Sequence, residues 1–223
     1  MPKARTAKGY VLEPLPDLRR GPDSTKSNAL HPIRFDGWLA PWDGFIPSVA
    51  RTFENRTWGT QIIDYLPQMG PKPSLNEHVQ VGDEPGVQSR FSDRVEQPLS
   101  IVASCEGMGF FFGDSKSFLS DYKKVPDFLI IKSPNTSIAV VGELKVPWVK
   151  HHKLGQNILL AERMGGSEDN LRICLGQIAQ YMQDLGLKYG ILTTYNETIF
   201  VRQRGSVTLR QAILHVALLG LAG

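Results

Sequence analysis

Between Val125 and Val146 two apolar runs are set off by a polar turn. Phe128 to Ile131 is a short apolar, β-branched run, which predicts a strand. Ser133-Pro134-Asn135-Thr136 is a turn signal, because Pro presets φ and Asn tolerates unusual φ. Ser137 to Val146 reads as a second, longer strand, so the two predict an antiparallel hairpin. Downstream the period changes. Ile173, Ile178, Tyr181, Met182 and Leu185 recur at helical intervals, behind Ser167-Glu168-Asp169-Asn170 as cap and acidic first turn. That predicts a helix from about Leu171 to Leu185, stopped at Gly186 or Gly190. Tyr189 to Tyr195 and Thr198 to Arg202 flank Asn196-Glu197 and predict a second hairpin. Upstream, Ser89 to Ala103 places Phe91, Val95, Leu99 and Val102 near one helical face, with Pro98 expected to kink the helix or delay its start. Val49 to Leu66 is also helix-like. Phe110-Phe111-Phe112 reads as a strand; Gly107 to Asp114 lacks the Gly-Lys-Ser/Thr ending of a phosphate loop.

The register of the first hairpin carries the chemistry. Pairing Lys132 with Ser137 puts Asp127 opposite Gly142, one step from Glu143. A one-residue change of register puts the two acids directly opposite each other. Side chains alternate, so Glu143 and Lys145 share a face with Ala139 and Val141, while Ile138, Val140, Leu144 and Val146 take the other. A charged pair at the end of an apolar strand destabilises the fold unless it is paired, hydrated or bound to metal. Two carboxylates beside a lysine form a site that can hold Mg²⁺ and break a phosphodiester bond. The bland alternative is a solvated strand end with an ordinary salt bridge. On the following helix Gln177 and Tyr181 are four apart and share a face.

Pro126-Asp127 followed by Glu143-Leu144-Lys145 resembles the defining motif of the PD-(D/E)xK, or restriction-endonuclease-like, nuclease superfamily. Gln177-Ile178-Ala179-Gln180-Tyr181 looks like the Gln-x-x-x-Tyr helix of its RecB and lambda-exonuclease branch. Pro126-Asp127-Phe128 with Glu143-Leu144-Lys145-Val146-Pro147-Trp148 is similar to nuclease-like domains common in fungal genomes. The resemblance spans roughly Ser89 to Arg204. It implies a mixed α/β fold: an α-β-β-β-α-β core whose mixed sheet is flanked by helices. It implies that Asp127 and Glu143 bind one or two Mg²⁺ or Mn²⁺ ions, with the Leu144 carbonyl as a further ligand. Lys145 would orient the attacking water or neutralise developing charge, and Gln177 would fix the lysine or a phosphate with Tyr181 supporting it. Many members carry another acid on the first core helix. Glu96 is the choice here and Glu54 the fallback; as a bland reading Glu96 is a surface carboxylate. The implied activity is a metal-dependent nuclease, with DNA favoured over RNA. The rival is the same fold kept as a binding module for nucleic acid or protein. A toxin or effector role is a third reading, resting on family analogy alone.

Charge sharpens where nucleic acid could touch. Residues 1–30 hold six bases (Lys3, Arg5, Lys8, Arg19, Arg20, Lys26) against three acids, leaving 19 of the 25 bases and 19 of the 22 acids elsewhere. A neutral body does not coat duplex DNA nonspecifically, so contact has to be local. Lys150, His151, His152 and Lys153 form the best local patch, and Trp148 could stack on a base or pack on the core. Residues 1–30, with Pro2, Pro14, Pro16 and Pro22, read as a flexible or surface-wrapping arm. Residues 31–223 read as one domain with an N-terminal helical elaboration and a final helix over Ala212 to Gly223. Pro71 to Gly86 reads as a mobile loop. No apolar stretch is long enough to span a membrane and no secretory h-region follows the basic start, so an intracellular protein of nucleus or cytoplasm is expected. Cys105 and Cys174 lack zinc-site spacing. Oligomeric state is open, a homodimer included.

Overall fold

A computed structural model describes residues 5–26, 32–37, 39–63, 79–155 and 169–203. In chain order the elements are β1 (Arg5–Thr6), α1 (Ala7–Leu12), β2 (Arg19–Arg20), α2 (Phe45–Glu54), β3 (Ile62–Ile63) and β4 (Gln80–Val81). There follow α3 (Glu84–Phe91), α4 (Gln97–Cys105), β5 (Phe110–Gly113), α5 (Ser115–Phe118), β6 (Phe128–Lys132) and β7 (Ile138–Leu144). The described part ends with α6 (Asp169–Asp184), β8 (Tyr189–Thr193) and β9 (Thr198–Arg202). The fold is mixed α/β, built on a five-stranded sheet of order β5-β6-β7-β8-β9. All neighbours in it are antiparallel except β7 and β8, which run parallel and are joined through α6. A parallel pair requires such a crossover, because a tight turn can only reverse the chain.

Both faces of the sheet are covered. On one face Leu129, Ile131, Val141 and Leu192 pack against Ile178 and Met182 of α6. Burying each such side chain contributes about 1.5–3 kcal/mol. On the other, Phe128, Leu144 and Val146 pack against Val87 and Phe91 of α3 and against Tyr195. α6 ends as a Schellman motif: Leu187 N–H reaches Met182 O, Gly186 N–H reaches Gln183 O, and Gly186 holds φ +64°. The stop is therefore Gly186, because only glycine takes that backbone conformation without strain.

Three expectations change. The first concerns the β6–β7 register. Lys132 N–H does bond Ser137 O, but the pairing shifts between Ile130 and Ile131. Ile131 pairs with Ile138 and Ile130 with Val140, so Ala139 is the extra residue of a β-bulge. Beyond the bulge Phe128 pairs with Gly142, and the Asp127 N–H, one residue earlier, bonds Gly142 O. The bulge also turns Ile138 to the face of Leu129 and Val141, not the face of Leu144 expected from strict alternation.

The second concerns the first core helix. It begins at Glu84, not Ser89, with the Asp83 side chain accepting from Gly86 N–H at 2.9 Å and Pro85 in the first turn. The end of the stretch read as a mobile loop is thus strand β4 and this helix start. Ser92 to Glu96 form one π-helical turn, in which Gln97 N–H bonds Ser92 O, and α4 follows directly. Pro98, expected to kink the helix or delay its start, falls in the first turn of α4, directly after the wider turn, where its missing N–H costs least.

The third concerns the N-terminal arm, read as flexible or surface-wrapping: of the two readings its residues 5–26 take the second. β1 pairs with β3, β2 runs parallel to β4, and Ala7 is buried with Ile63 and Val102. Of the stretch Val49 to Leu66, read as helix-like, only the part to Glu54 is helix, in α2; β3 follows, and residues 64–66 lie outside the described residues. The expected final helix lies outside the described residues. No helix among the described residues is long and apolar enough to cross a membrane.

Candidate active site

The site forms where β6 begins and β7 ends. Asp127 N–H bonds Gly142 O at 3.1 Å, just before β6 begins. Its carboxylate is held from two directions. Leu144 N–H donates to Oδ2 at 2.6 Å, and the Gln88 amide Nε2 donates to Oδ1 at 2.5 Å from α3. In a strand a residue's N–H and C=O leave by the same edge. The Leu144 carbonyl therefore faces the Asp127 side of β7.

Glu143 is only 1% exposed. Lys145 Nζ donates to its Oε1 at 2.5 Å, while Oε2 is buried with no hydrogen-bond partner among the described residues. Lys145 Nζ also lies 3.7 Å from Glu84 Oε2, and its backbone N–H is fixed to Thr193 O on β8 at 2.9 Å. The lysine is thus shared between a buried acid and a more open one. Asp127, Glu143 and Lys145, read from the sequence as one cluster, are brought together. Glu84 and Gln88 join them from α3, and both were missed. The missed signal was the Asp83-Glu84-Pro85 helix start, hidden in a stretch rich in proline, glycine and acids.

Electrostatics follows from burial. Burial raises the Glu143 carboxyl most, the Asp127 charge raises it further, and Lys145 only partly offsets both. Burial raises Asp127 too; the Leu144 N–H opposes this and the Glu84 charge adds to it. Burial alone would lower Lys145, but the charges of Glu143 and Glu84 outweigh it and the net shift is upward. The two partners do not contradict each other: the ammonium stays charged, and one positive charge is too few for two buried acids. Glu96 is pushed up to about 7, by burial and then, against a hydrogen bond from Ser92, by the Asp127 charge. It sits within electrostatic reach of Asp127, on the π-helical turn. Glu54 is exposed at the end of α2, whose Phe45 leans on Phe200 of the far edge strand.

Gln177 donates to the Tyr181 hydroxyl at 2.8 Å, so its amide serves the tyrosine, where the expected partner was the lysine or a phosphate. Tyr181 is buried, and its hydroxyl is pushed up to about 12, first by burial and then by the Glu143 charge. Trp148 donates to Thr25 O at 3.1 Å, lies under the Arg20 guanidinium and packs against the Phe128 cluster. Lys150 and Lys153 are exposed and His151 half-buried, but His152 is buried with Nδ1 on Val146 O at 3.2 Å. His152 therefore leaves the proposed surface patch.

Among the described residues no group of three or more His, Cys, Asp or Glu side chains is arranged to hold a metal ion. Magnesium needs less than that, since it keeps several waters and takes one or two carboxylates. The donor set fits such an ion. Glu143 Oε2 is a buried acceptor without a donor, an arrangement that costs about 1–3 kcal/mol or more when left so. Asp127, whose charge acts on it, and the Leu144 carbonyl are hard oxygen donors. No family model, no curated protein and no solved structure matches this chain.

Proposed function

We propose that the protein is a metal-dependent nuclease of the PD-(D/E)xK type, with DNA favoured over RNA. The observation that carries this reading is the grouping at the strand ends: Asp127 held on Leu144 N–H, Lys145 on Glu143, and a buried Glu143 oxygen with no partner among the described residues. The order helix, three antiparallel strands, crossover helix and parallel strand supports a restriction-endonuclease-like core. Asp127, Glu143 and the Leu144 carbonyl would hold Mg²⁺ or Mn²⁺. When bound, the ion would stabilise charge on the scissile phosphate and lower the pKa of an attacking water. Lys145 supplies a fixed positive charge beside that position, and Gln88 and Leu144 N–H keep Asp127 aimed at it. Tyr181, buried on α6, lies close enough to Glu143 to feel its charge. Lys150, Lys153 and Arg20 offer local phosphate contacts, with Trp148 braced beneath Arg20.

The test is direct. Purified protein is incubated with linear duplex, circular single-stranded DNA and RNA, with Mg²⁺, Mn²⁺ or EDTA. Cleavage is expected with metal only, and to fall at least about 100-fold in Asp127→Ala, Glu143→Ala and Lys145→Ala, each still folded by circular dichroism. Unchanged cleavage by Glu143→Ala would sink the mechanism. One observation favours the rival, a binding module without turnover: among the described residues no third acid is arranged with the pair to hold a metal ion. A flat result on all substrates together with retained nucleic-acid binding would select it.

A further inference from the structure

Asp127 is the more exposed of the two acids and lies just outside β6, where no regular strand pairing of its own fixes the side chain. A carboxylate bonded through Oδ2 alone can still rotate about that bond. Here the other oxygen is taken by Gln88, and the two anchors come from different elements, the end of β7 and the middle of α3. α3 is itself held: Val87, beside Gln88 in the chain, is fully buried, and Phe91 packs on Phe128 with ring centroids 5.0 Å apart. Phe128 directly follows Asp127. The helix that supplies the anchor therefore packs on the residue next to the acid it anchors.

The kind of anchor matters as much as its place. An arginine or lysine at position 88 would cancel the carboxylate charge that attracts a cation. A glutamate would repel it. A neutral amide orients without neutralising, and that is what a partner behind a metal-binding carboxylate does elsewhere. We infer that Gln88 is a positioning residue: from α3 it fixes the Asp127 carboxylate against rotation, so that the lone pairs not used by Gln88 and Leu144 N–H face Glu143 and the Leu144 carbonyl. The inference rests on the nuclease reading for its consequence, but its geometry stands without it.

Two measurements on the full chain separate the two. In the metal-free protein the Gln88 side-chain amide is observed by ¹⁵N–¹H NMR. One strongly downfield, slowly exchanging Nε2 proton is expected, collapsing to an ordinary pair in Asp127→Ala. An ordinary pair in the wild type overturns the inference whether or not the protein is a nuclease. The second measurement is the rise in Tm across a Mn²⁺ titration. Gln88→Met keeps the volume and helix propensity but has no donor, and should move the titration midpoint upward by about 10–100-fold. Cleavage should fall in parallel and recover at high Mn²⁺. Gln88→Asn, one methylene too short, should resemble Gln88→Met. A wild-type midpoint in Gln88→Met overturns the inference and leaves the nuclease reading standing. If wild type gives no Mn²⁺ response, that reading fails, and the amide signal alone decides the role of Gln88.

Discussion

Glu143 carries a conflict that sets the behaviour of the site with pH. Its carboxyl is buried, faces another acid and has one ammonium within 2.5 Å. Burial and the Asp127 charge push it up to about 8, while burial pushes Asp127 up to about 6. In the unfolded chain both titrate near their ordinary values, 4.5 and 3.8. Between those limits the folded protein holds more protons than the unfolded one. The sign follows: stability is fullest below the unfolded values and is lost as pH rises through the folded ones. In metal-free buffer Tm should therefore fall from about pH 5 to pH 8, each extra proton contributing at most about 1.4 kcal/mol per pH unit. Glu143→Gln removes one of the titrating groups, so its profile over that range should be flatter. Thermal melts of both proteins across the range check this, and equal slopes would contradict the burial argument. Mn²⁺ favours the charged carboxylates, so saturating metal should flatten the wild-type slope as well.

At the scale of elements, the acid pair depends on how β6 and β7 meet. Phe128 pairs with Gly142, and its ring lies over the glycine so closely that a Cβ there would sit 2.0 Å from the ring. The same ring packs on Phe91 and Phe112. Gly142→Ala should therefore push Phe128 into α3 and β5, lowering stability in urea unfolding by about 1–3 kcal/mol. Cleavage should drop too, since Gly142 O anchors Asp127 N–H and Glu143 is the next residue. Gly142→Ala combined with Phe128→Leu should recover part of the loss, and a double variant no better than the single one would point to backbone strain instead. Much of this part of the fold was legible in the chain. The β-branched runs, the Ser-Pro-Asn-Thr turn and the helical spacing up to Gly186 mark both hairpins and α6. What was not legible was register, because a bulge is one residue of slack whose position depends on which side chains can be buried. Ala139 looks like any other strand residue. Strict alternation put Ile138 on the face of Leu144; the bulge sends it to the opposite face. The start of α3 was hidden for a different reason. Asp83-Glu84-Pro85 is a helix cap by local chemistry, but in its proline- and acid-rich surroundings the same residues read as a loop. With the helix started five residues late, Glu84 and Gln88 fell outside it, and Glu96 was left as its acid.

For the whole molecule, the N-terminal arm links remote sequence to the site through a chain of contacts. Gly21 N–H bonds Val81 O, Thr25 N–H bonds Gly82 O, and β2 lies along β4. β4 leads directly into Asp83 and α3, the helix that presents Glu84 to Lys145 and Gln88 to Asp127. The arm also receives the Tyr195 hydroxyl on Pro16 O at 3.1 Å and the Trp148 N–H on Thr25 O, and Leu18 packs on the same cluster as Phe128. Its basic residues are thereby spent partly on structure: Arg20 caps Trp148 and bonds Ser24 at 2.6 Å. Removing residues 1–26 should then do two things that a merely electrostatic arm would not. Stability should fall by about 4 kcal/mol, with two buried hydrogen bonds at about 1 kcal/mol each and apolar cover over Val81, Ile63 and Val102 making up the rest. For a chain of this size that is a Tm lower by roughly 8–16 °C. The Mn²⁺-induced rise in Tm should weaken as well, because α3 loses the strand that anchors its first turn. High salt distinguishes the two roles. A structural arm leaves the truncation penalty nearly unchanged between 50 mM and 500 mM salt, whereas an arm acting only through its charge would show a penalty that vanishes as screening shortens to a few ångströms. A truncated protein with wild-type Tm and wild-type metal response would mean that the wrapping seen at β2 and β4 supports neither α3 nor the site.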